Sequence, residues 1–549
     1  MDKNELKAIS EKTERILKLL NVGLYEREKA INLSYLSMVA GEAIFLLGPP
    51  GVGKSLMARR LSRILKSGKA FEYLMHRFST PDEIFGPVSI QKLKNEDKYE
   101  RSVIGYLPDA DIAFLDEIWK AGPSIQNTLL TIINERIFRN GDIDVKVPLK
   151  GLMAASNELP AKNQGLEALW DRFILRLMVT EVRDQEFFNA MIQGKDNLLE
   201  LQIDDKTKIT DDDLVKWKKA IDDVKIPQEI LNTITAIKHR LNEYNNTLGE
   251  NQDLKIYVSD RKWKKIIRIL KTSALLNGRD EANLLDAFLI SDCIWNNNTQ
   301  IEKVNELVET SIHDFSFRYS IDFSGLNEEL ENLKTEIDRI TVNKNEKETK
   351  ALKTFVNNGI DYFNFQKVPV SYGYNDTRNY EFIKVEDFNN LTNNMRVPLF
   401  LNDFKSDVFT VSSSKGYKIK IHLSNSEIDR TIKSESVKYN EFVFSTPSVV
   451  HVQEWDKTIN EILKEVDDDL FRLQKIENEK LEGLNSNYFV DAQKSKIISS
   501  SIDDTKKSLL DIKTEAKRLQ KHYKSIKDGE IKDTNLPKFA IDEKIENES

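Results

Sequence analysis

A single cysteine, Cys293, in 549 residues excludes an intrachain disulfide, and six scattered histidines offer no second ligand at zinc-finger spacing. A reducing compartment without structural zinc is expected. Apolar runs approaching the roughly 20 residues of a membrane span are lacking too. The opening stretch, MDKNELKAISEKTERILKLL, interrupts its apolar positions with charge and has no small-residue cleavage site. It reads as an amphipathic helix rather than a signal peptide, so a cytoplasmic location is expected. Nor is there a basic excess. The net charge of -8 argues against general polyanion binding, which usually shows a basic balance or a basic face.

What is present is 40% apolar and 31% charged residues, a globular profile suited to long solvated helices. The length predicts roughly three or four folding units. Leu6, Ile9, Ile16, Leu17 and Leu20 fall at helical spacing, and a second helix leads to Gly41. Ala43 to Leu47 is an unbroken apolar run bounded by glycines, as in a strand buried on both faces of a parallel sheet. Ile112 to Leu115 and Leu152 to Ala155 are further strand candidates, separated by a helix around Ser124 to Arg136. The alternation predicts an α/β sheet with ligands at the carboxyl ends of its strands. Two inserted hairpins are expected, Val88 to Ser102 turning at Lys94-Asn95-Glu96-Asp97, and Ile137 to Val147 turning at Asn140-Gly141.

After Arg183 helices dominate: Asp211 to Ile221 behind the cap Thr210, Pro227 to Leu241, Asp260 to Leu276 behind Ser259, and Ala282 to Ile294. Leu326, Leu330, Leu333, Ile337 and Ile340 then form a heptad stripe. Its counterpart is Ile459, Ile462, Val466, Leu470, Leu473 and Ile476, and a third helix spans Ser501 to Ile526. Between them, Tyr362 to Phe444 turns aromatic and β-branched, as expected of a small β-rich domain inserted into a discontinuous helical bundle. The charged residues from Asp528 to Ser549 are expected to fray.

The chemistry is concentrated early. Gly48-Pro49-Pro50-Gly51-Val52-Gly53-Lys54-Ser55 has the spacing of a phosphate loop. Its glycines let backbone amides face phosphate oxygens, the lysine reaches the β- and γ-phosphates, and the serine hydroxyl ligates magnesium. The contact set extends to Leu56 at the start of the following helix. Ile112-Ala113-Phe114-Leu115-Asp116-Glu117 delivers two carboxylates to a strand end, Asp116 for magnesium and Glu117 to polarise the attacking water.

Together with Ala154-Ala155-Ser156-Asn157-Glu158, these motifs resemble the AAA+ core. Phe78-Ser79-Thr80-Pro81-Asp82-Glu83-Ile84-Phe85-Gly86-Pro87 resembles its MoxR branch. Phe71 to Leu74, Leu115 to Pro123 and Ser259-Asp260-Arg261 are similar to RavA-like members. The likeness is specific to about residue 300. It implies an ATP-hydrolysing, magnesium-dependent ring, commonly a hexamer, with a partner containing a von Willebrand factor A domain (ViaA-like) and a chaperone-like role on an unidentified protein client.

By position, Asn157 resembles the sensor-1 residue, Arg172 the arginine finger that reaches a neighbour's γ-phosphate, and Arg261 the sensor-2 arginine, acting in cis or in trans. Arg172 beside Asp171 also reads as a surface ion pair, and Arg261 with Lys264, Lys265 and Arg268 as a solvated helix face. Gly23 and Tyr25 are placed at the adenine, or in a plain interhelical turn.

The implied organisation is an AAA+ core with inserted hairpins (1–190), a helical lid (191–308), a first bundle segment (309–355), a β-rich partner-binding domain (356–452), a second bundle segment (453–528) and a flexible tail (529–549). A nucleic-acid translocase is the alternative function. The first insert mixes charges and offers only Tyr99 for base stacking, whereas a DNA-gripping loop would be more uniformly basic. A non-hydrolysing scaffold would need a degenerate acid pair, and both acids are present.

Overall fold

The computed structural model describes residues 2–161, 165–194, 203–249, 254–315, 323–414, 417–424, 426–484 and 486–541. They form two compact units, Met1–Phe323 with Val466–Asp511, and Ser324–Glu465 with Ile512–Ser549.

The first unit opens with α1 (Lys3–Asn21), started by a capping box between Asp2 and Glu5 and burying the expected stripe of Leu6, Ile9, Ile16, Leu17 and Leu20. Helix α2 (Glu28–Ala40) ends at Gly41 in the left-handed conformation. A five-stranded sheet follows, built of β1 (Ala43–Leu47), β2 (Ala70–Leu74), β3 (Ile112–Asp116), β6 (Gly151–Ser156) and β7 (Phe173–Met178), all parallel, in the order β2-β3-β6-β1-β7. Every residue of β1 and β6 is buried, and in β3 only the terminal Asp116 is not, as unbroken apolar runs covered on both faces require.

Sequence patterning did not reveal β2 and β7. The edge strand β2 buries only Phe71 and carries Glu72 in its middle, and β7 carries a charge, Arg176, inside its apolar run. Arg176 is fully buried and donates to the carbonyls of Phe173, Trp170 and Trp295 with its guanidinium 3.8 Å from the Trp170 ring centre, so the arginine serves as a core cross-link.

Helix α3 (Lys54–Arg63) leaves the phosphate loop. The insert Val88 to Ser102 is no hairpin. After the short α4 (Pro81–Phe85) it forms α5 (Ile90–Glu96), closed by one bridge between Val88 and Arg101. Ser89 accepts from the Lys92 amide and Asp97 is left-handed, so caps at both ends favour helix over the expected turn. The second insert is a hairpin, β4 (Ile137–Asn140) and β5 (Ile143–Lys146), after α6 (Pro123–Glu135). The Asn140 side chain exchanges two hydrogen bonds with the Arg101 backbone, at 2.6 and 3.1 Å, which ties the inserts together.

Helices α7 (Glu167–Trp170) and α8 (Gln185–Gln193) lead to α9 (Asp211–Asp223) behind Thr210, α10 (Gln228–Thr247) and α11 (Asp260–Leu276) behind Ser259. Where one helix was expected from Ala282 to Ile294, α12 (Leu284–Ala287) and α13 (Ser291–Ile294) are joined by a 3-10 turn, and α14 (Ile301–Phe315) follows. Residues around 487 belong to this unit rather than to a separate bundle. Asn487 is buried and donates to Ser273 and Asp286, while Tyr488 pairs with Asn32 and Asn277.

In the second unit, α15 (Phe323–Thr341) buries Leu326, Leu330, Leu333 and Ile337. It bundles with the first part of a long helix (Val449–Leu484) and the last part of another (Lys494–Ser525), where Trp455 donates to Glu336 at 3.3 Å and meets Tyr523 edge-to-face. The side chain of Ile476, last in the expected stripe, lies outside the described residues. The β-rich domain is a seven-stranded antiparallel meander between Thr354 and Thr431, cored by Phe363, Phe365, Tyr380, Ile383, Leu399 and Ile421.

Two boundaries differ from expectation. Residues Val342–Leu352, placed in the bundle, form a strand paired along its whole length with Ser434–Phe444, because no apolar helical stripe continues past Ile340. Within the expected tail, Ile531–Thr534 adds a third strand on that edge, and residues 542–549 lie outside the described residues.

Candidate nucleotide site

The strand order brings the carboxyl ends of β1, β3 and β6 side by side, and each ends in a motif residue. The phosphate loop leaves β1 at Gly48, whose amide donates to the Ser156 carbonyl at 3.0 Å. A Cβ at Gly48 would lie 2.0 Å from the Val179 carbonyl oxygen, so only glycine permits the loop to cross β7 there. Gly53 enters α3 at φ 84°, which turns the loop amides inward.

Lys54 is buried, and its ammonium donates to the Gly48 carbonyl at 2.7 Å, bridging the loop's two ends. Burial holds this ammonium below the ordinary lysine value, opposed by the charges of Asp116 and Glu117. Pro49, Pro50 and Asn157 line one cleft of about 570 Å³ with Gly48 and Val179.

At the end of β3, Glu117 is left-handed with φ 53°, a conformation that costs a non-glycine residue on the order of 1 kcal/mol. Its amide donates to the Asp116 carboxylate at 3.0 Å, and its own carboxylate accepts from the Ser156 hydroxyl at 3.3 Å and faces Lys120 at 3.2 Å. The strained turn therefore separates the two acids, Asp116 along the strand and Glu117 toward β6. Asn157 itself is exposed, and the side chain bonded to Glu117 is its neighbour Ser156, which sequence reasoning did not single out. A buried hydroxyl ending an apolar strand was the available signal.

The turn with Gly23 (φ 63°) and Tyr25 packs close to the loop. Arg60 of α3 donates to the carbonyls of Leu20 and Val22, and buried Arg27 donates to the Val52 carbonyl at 2.9 Å inside the phosphate loop. Tyr25 meets Phe187 of α8 with ring centres 5.8 Å apart. Neither arginine was anticipated, since buried cations serving backbone carbonyls leave no sequence pattern.

Arg172 and Arg261 lie together. Arg172 sits 3.7 Å from Asp171, its Nε is buried without a hydrogen-bond partner, and its guanidinium is pushed below the ordinary arginine value by burial and then by the charge of Arg261. Arg261 donates to the Asn134 side chain at the end of α6. The Ser259 hydroxyl, which caps α11, also reaches both Asp171 oxygens at 3.4 Å. Among the described residues, no hydrogen bond or ion pair joins either arginine to Lys54, Asp116 or Glu117.

The row behind Arg261 is not the solvated face it could have been. Lys264 is exposed, but Lys265 pairs with buried Glu42 at 2.6 Å, and Arg268 donates to the Ala40 carbonyl and pairs with Asp222.

Magnesium fits this donor set. It prefers hard oxygen ligands, keeps several waters and takes one or two carboxylates with substrate phosphates. Ser55 and Asp116 supply such oxygens, and no group of three or more acidic, histidine or cysteine side chains that would form a protein-only cage occurs among the described residues.

A parallel sheet of this order, a glycine loop entering a helix, an acid pair on the neighbouring strand end and a helical lid define a phosphate-loop ATPase of the AAA+ class. Residues 11–219 match the family described as the MoxR domain in the MoxR-vWA-beta-propeller ternary systems, and residues 229–308 match an AAA lid domain. An uncharacterized protein of Methanocaldococcus jannaschii is 38% identical over 336 residues, covering 61% of this chain and 83% of the relative. A second from that organism is 39% identical over 305 residues, covering 55% and 77%. A structural protein of Acidianus two-tailed virus is 25% identical over 308 residues, about half of each chain. The chain belongs to the MoxR family of AAA+ ATPases.

Proposed function

We propose that this protein binds ATP with magnesium at the Gly48–Leu56 loop, hydrolyses it at the interface between subunits of a ring, and uses the cycle to remodel a protein client. The observation that carries the reading is the convergence of Lys54, Asp116, Glu117 and the Ser156-Asn157 strand end at one edge of the sheet.

Lys54 gives up the Gly48 carbonyl and reaches the β- and γ-phosphates, while loop amides from Gly48 to Ser55 cradle them. Ser55 and Asp116 would hold magnesium, which would supply charge neutralisation for the phosphates. Glu117 orients and polarises the attacking water, held by Ser156 and assisted by Asn157. Gly23 and Tyr25 border the adenine. Arg172 and Arg261, remote in their bonding from their own phosphate loop, serve the neighbour's γ-phosphate, where guanidinium groups stabilise transition-state charge.

The ring, taken as a hexamer, follows from that sharing of sites. The matched family description supports a partner with a von Willebrand factor A domain, and adds a β-propeller protein as a second component. The RavA-like placement rests on the sequence phrases alone. A protein client is supported over nucleic acid because three of the four cations of the first insert are answered locally: Lys92 pairs with Glu100, Lys98 with Glu96 and Arg101 with Asp82. No described helix is long and apolar enough to cross a membrane, and the cytoplasm is the proposed location.

The deciding experiment is phosphate release by purified protein with magnesium and ATP, with and without the partner and with added DNA. Turnover that rises with subunit concentration supports the shared site. Steep, salt-sensitive stimulation by DNA would instead favour the translocase.

A further inference from the structure

A cavity of about 730 Å³ opens at the opposite edge of the sheet from the nucleotide site. Glu42, Asp111 and Lys150, which immediately precede β1, β3 and β6, lie on its floor. The phosphate loop leaves the far end of β1, so five residues of strand, about 16 Å, separate the two sites. The other walls are the end of α6 with the β4–β5 hairpin on the core side and helices α9 and α11 across from it.

The lining is cationic in a chain of net charge -8. Six lysine and arginine side chains stand against three carboxylates, Glu42, Asp111 and Asp211. Those carboxylates are already taken, Glu42 by Lys265 and both aspartates by Lys150. The Arg136 guanidinium donates to the Gly41 carbonyl at 2.7 Å and to the Ile132 carbonyl, and burial pushes it below the ordinary arginine value, opposed by the charge of Glu42. Among the described residues, no hydrogen bond or ion pair engages the side chains of Lys146 or Lys218, which rim the cavity from the hairpin and from α9. Met38 of α2, Ile133 of α6 and Leu214 of α9 add apolar surface from three elements. A concave site of this volume, with convergent cations beside an apolar part of the lining, can hold a small ligand.

We propose that this cavity is a second ligand site, which takes a small organic phosphate with an apolar body. The phosphate sits between Lys146, Lys218 and Arg136, and the body lies along Met38, Ile133 and Leu214. The excess of cations over carboxylates on the lining suits an anion, and a planar guanidinium suits phosphate oxygens.

The site also touches the machinery of hydrolysis, and this step rests on the proposed role of Arg261. Asn134, which accepts from Arg261, lines the cavity, and Lys265, one helical turn after Arg261 on α11, spans it to Glu42. An anion at Arg136 competes with Glu42, the carboxylate that also holds Lys265, and so shifts α11 and with it Arg261. Occupancy and turnover are then coupled.

Pyridoxal 5′-phosphate is a suitable probe, since its aldehyde forms an imine with a nearby lysine that borohydride fixes. The full-length protein is treated in magnesium and saturating ADP, which shields Lys54, and labelled peptides are located by mass spectrometry. The expected result is labelling of Lys146 or Lys218 ahead of exposed lysines such as Lys3 and Lys7, suppressed by excess phenyl phosphate. Lys218→Glu should lower labelling of Lys146 at least tenfold. Labelling spread evenly over surface lysines, or indifferent to phenyl phosphate, overturns the site. Phenyl phosphate at saturation should change ATP turnover about fivefold or more, the low end of typical coupling. Competition without any change in turnover overturns the coupling. Labelling of Lys54 despite ADP counts against the nucleotide reading and leaves the result at the cavity standing.

Discussion

The Ser156 hydroxyl donates to the Glu117 carboxylate across 3.3 Å, from the end of one strand to a left-handed residue at the end of the next. This contact ties the Glu117 carboxylate to the end of β6. Ser156→Ala should lower kcat roughly tenfold with KM little changed, as expected for loss of one positioning hydrogen bond. Ser156→Thr should restore most of it. A change confined to KM in steady-state phosphate release would remove Ser156 from the water-orienting apparatus.

Glu117→Gln should retain nucleotide binding while turnover falls on the order of 10²- to 10⁴-fold, the usual contribution of a general base. Lys54→Ala should instead weaken binding itself, because it removes the cation that reaches the phosphates. Titration with a fluorescent nucleotide beside phosphate release separates the two. The opposite pattern would reverse the assigned roles.

Arg172→Ala and Arg261→Ala should each lower kcat, Arg172 by on the order of 10³-fold or more. Lysine at Arg172 should not rescue, since it lacks the planar fork. Mixing Arg172→Ala subunits with Glu117→Gln subunits should recover activity, because some interfaces then combine an intact finger with an intact acid. Mixtures no more active than either parent would place Arg172 in cis.

Lys262 is 1% exposed, its ammonium has no hydrogen-bond partner, and burial followed by the neighbouring Arg176 charge drives it well below the lysine range. The fold therefore disfavours the charged amine, whereas the unfolded chain protonates it below the ordinary lysine value. Unfolding takes up a proton, so this group makes the protein less stable as pH falls below that value. Lys262→Met should therefore stabilise by about 1–4 kcal/mol near neutral pH, with a gain that shrinks toward pH 10. Denaturant midpoints across that range test it. A gain independent of pH would show that the lysine is charged in the fold.

Much of the nucleotide site was legible because its parts are local. A glycine loop after an apolar run and an acid pair closing another are each fixed within a few residues by backbone geometry, and Lys54, Ser55, Asp116 and Glu117 fall where spacing put them. Residues that act through distant partners were not legible. Arg27 serves Val52, Arg60 serves Leu20 and Val22, and Asn134 holds Arg261 across 127 positions. The insert at Val88 to Ser102 was misjudged for a related reason: a run of mixed charge fits a hairpin turn or a capped helix, and Ser89 with Asp97 decided between them.

By itself the sequence determined the class of sheet, the position of the phosphate loop and acids, and the helical character of the lid, all set by periodicity and short-range sterics. Tertiary structure alone decided that Arg172 and Arg261 stand together, that Lys265 and Arg268 clasp the core, and that a cationic cavity lies beneath the sheet. Those outcomes depend on which helix face meets which strand end. Burial and charge compensation between residues far apart in the chain fix that choice, and no local pattern encodes it.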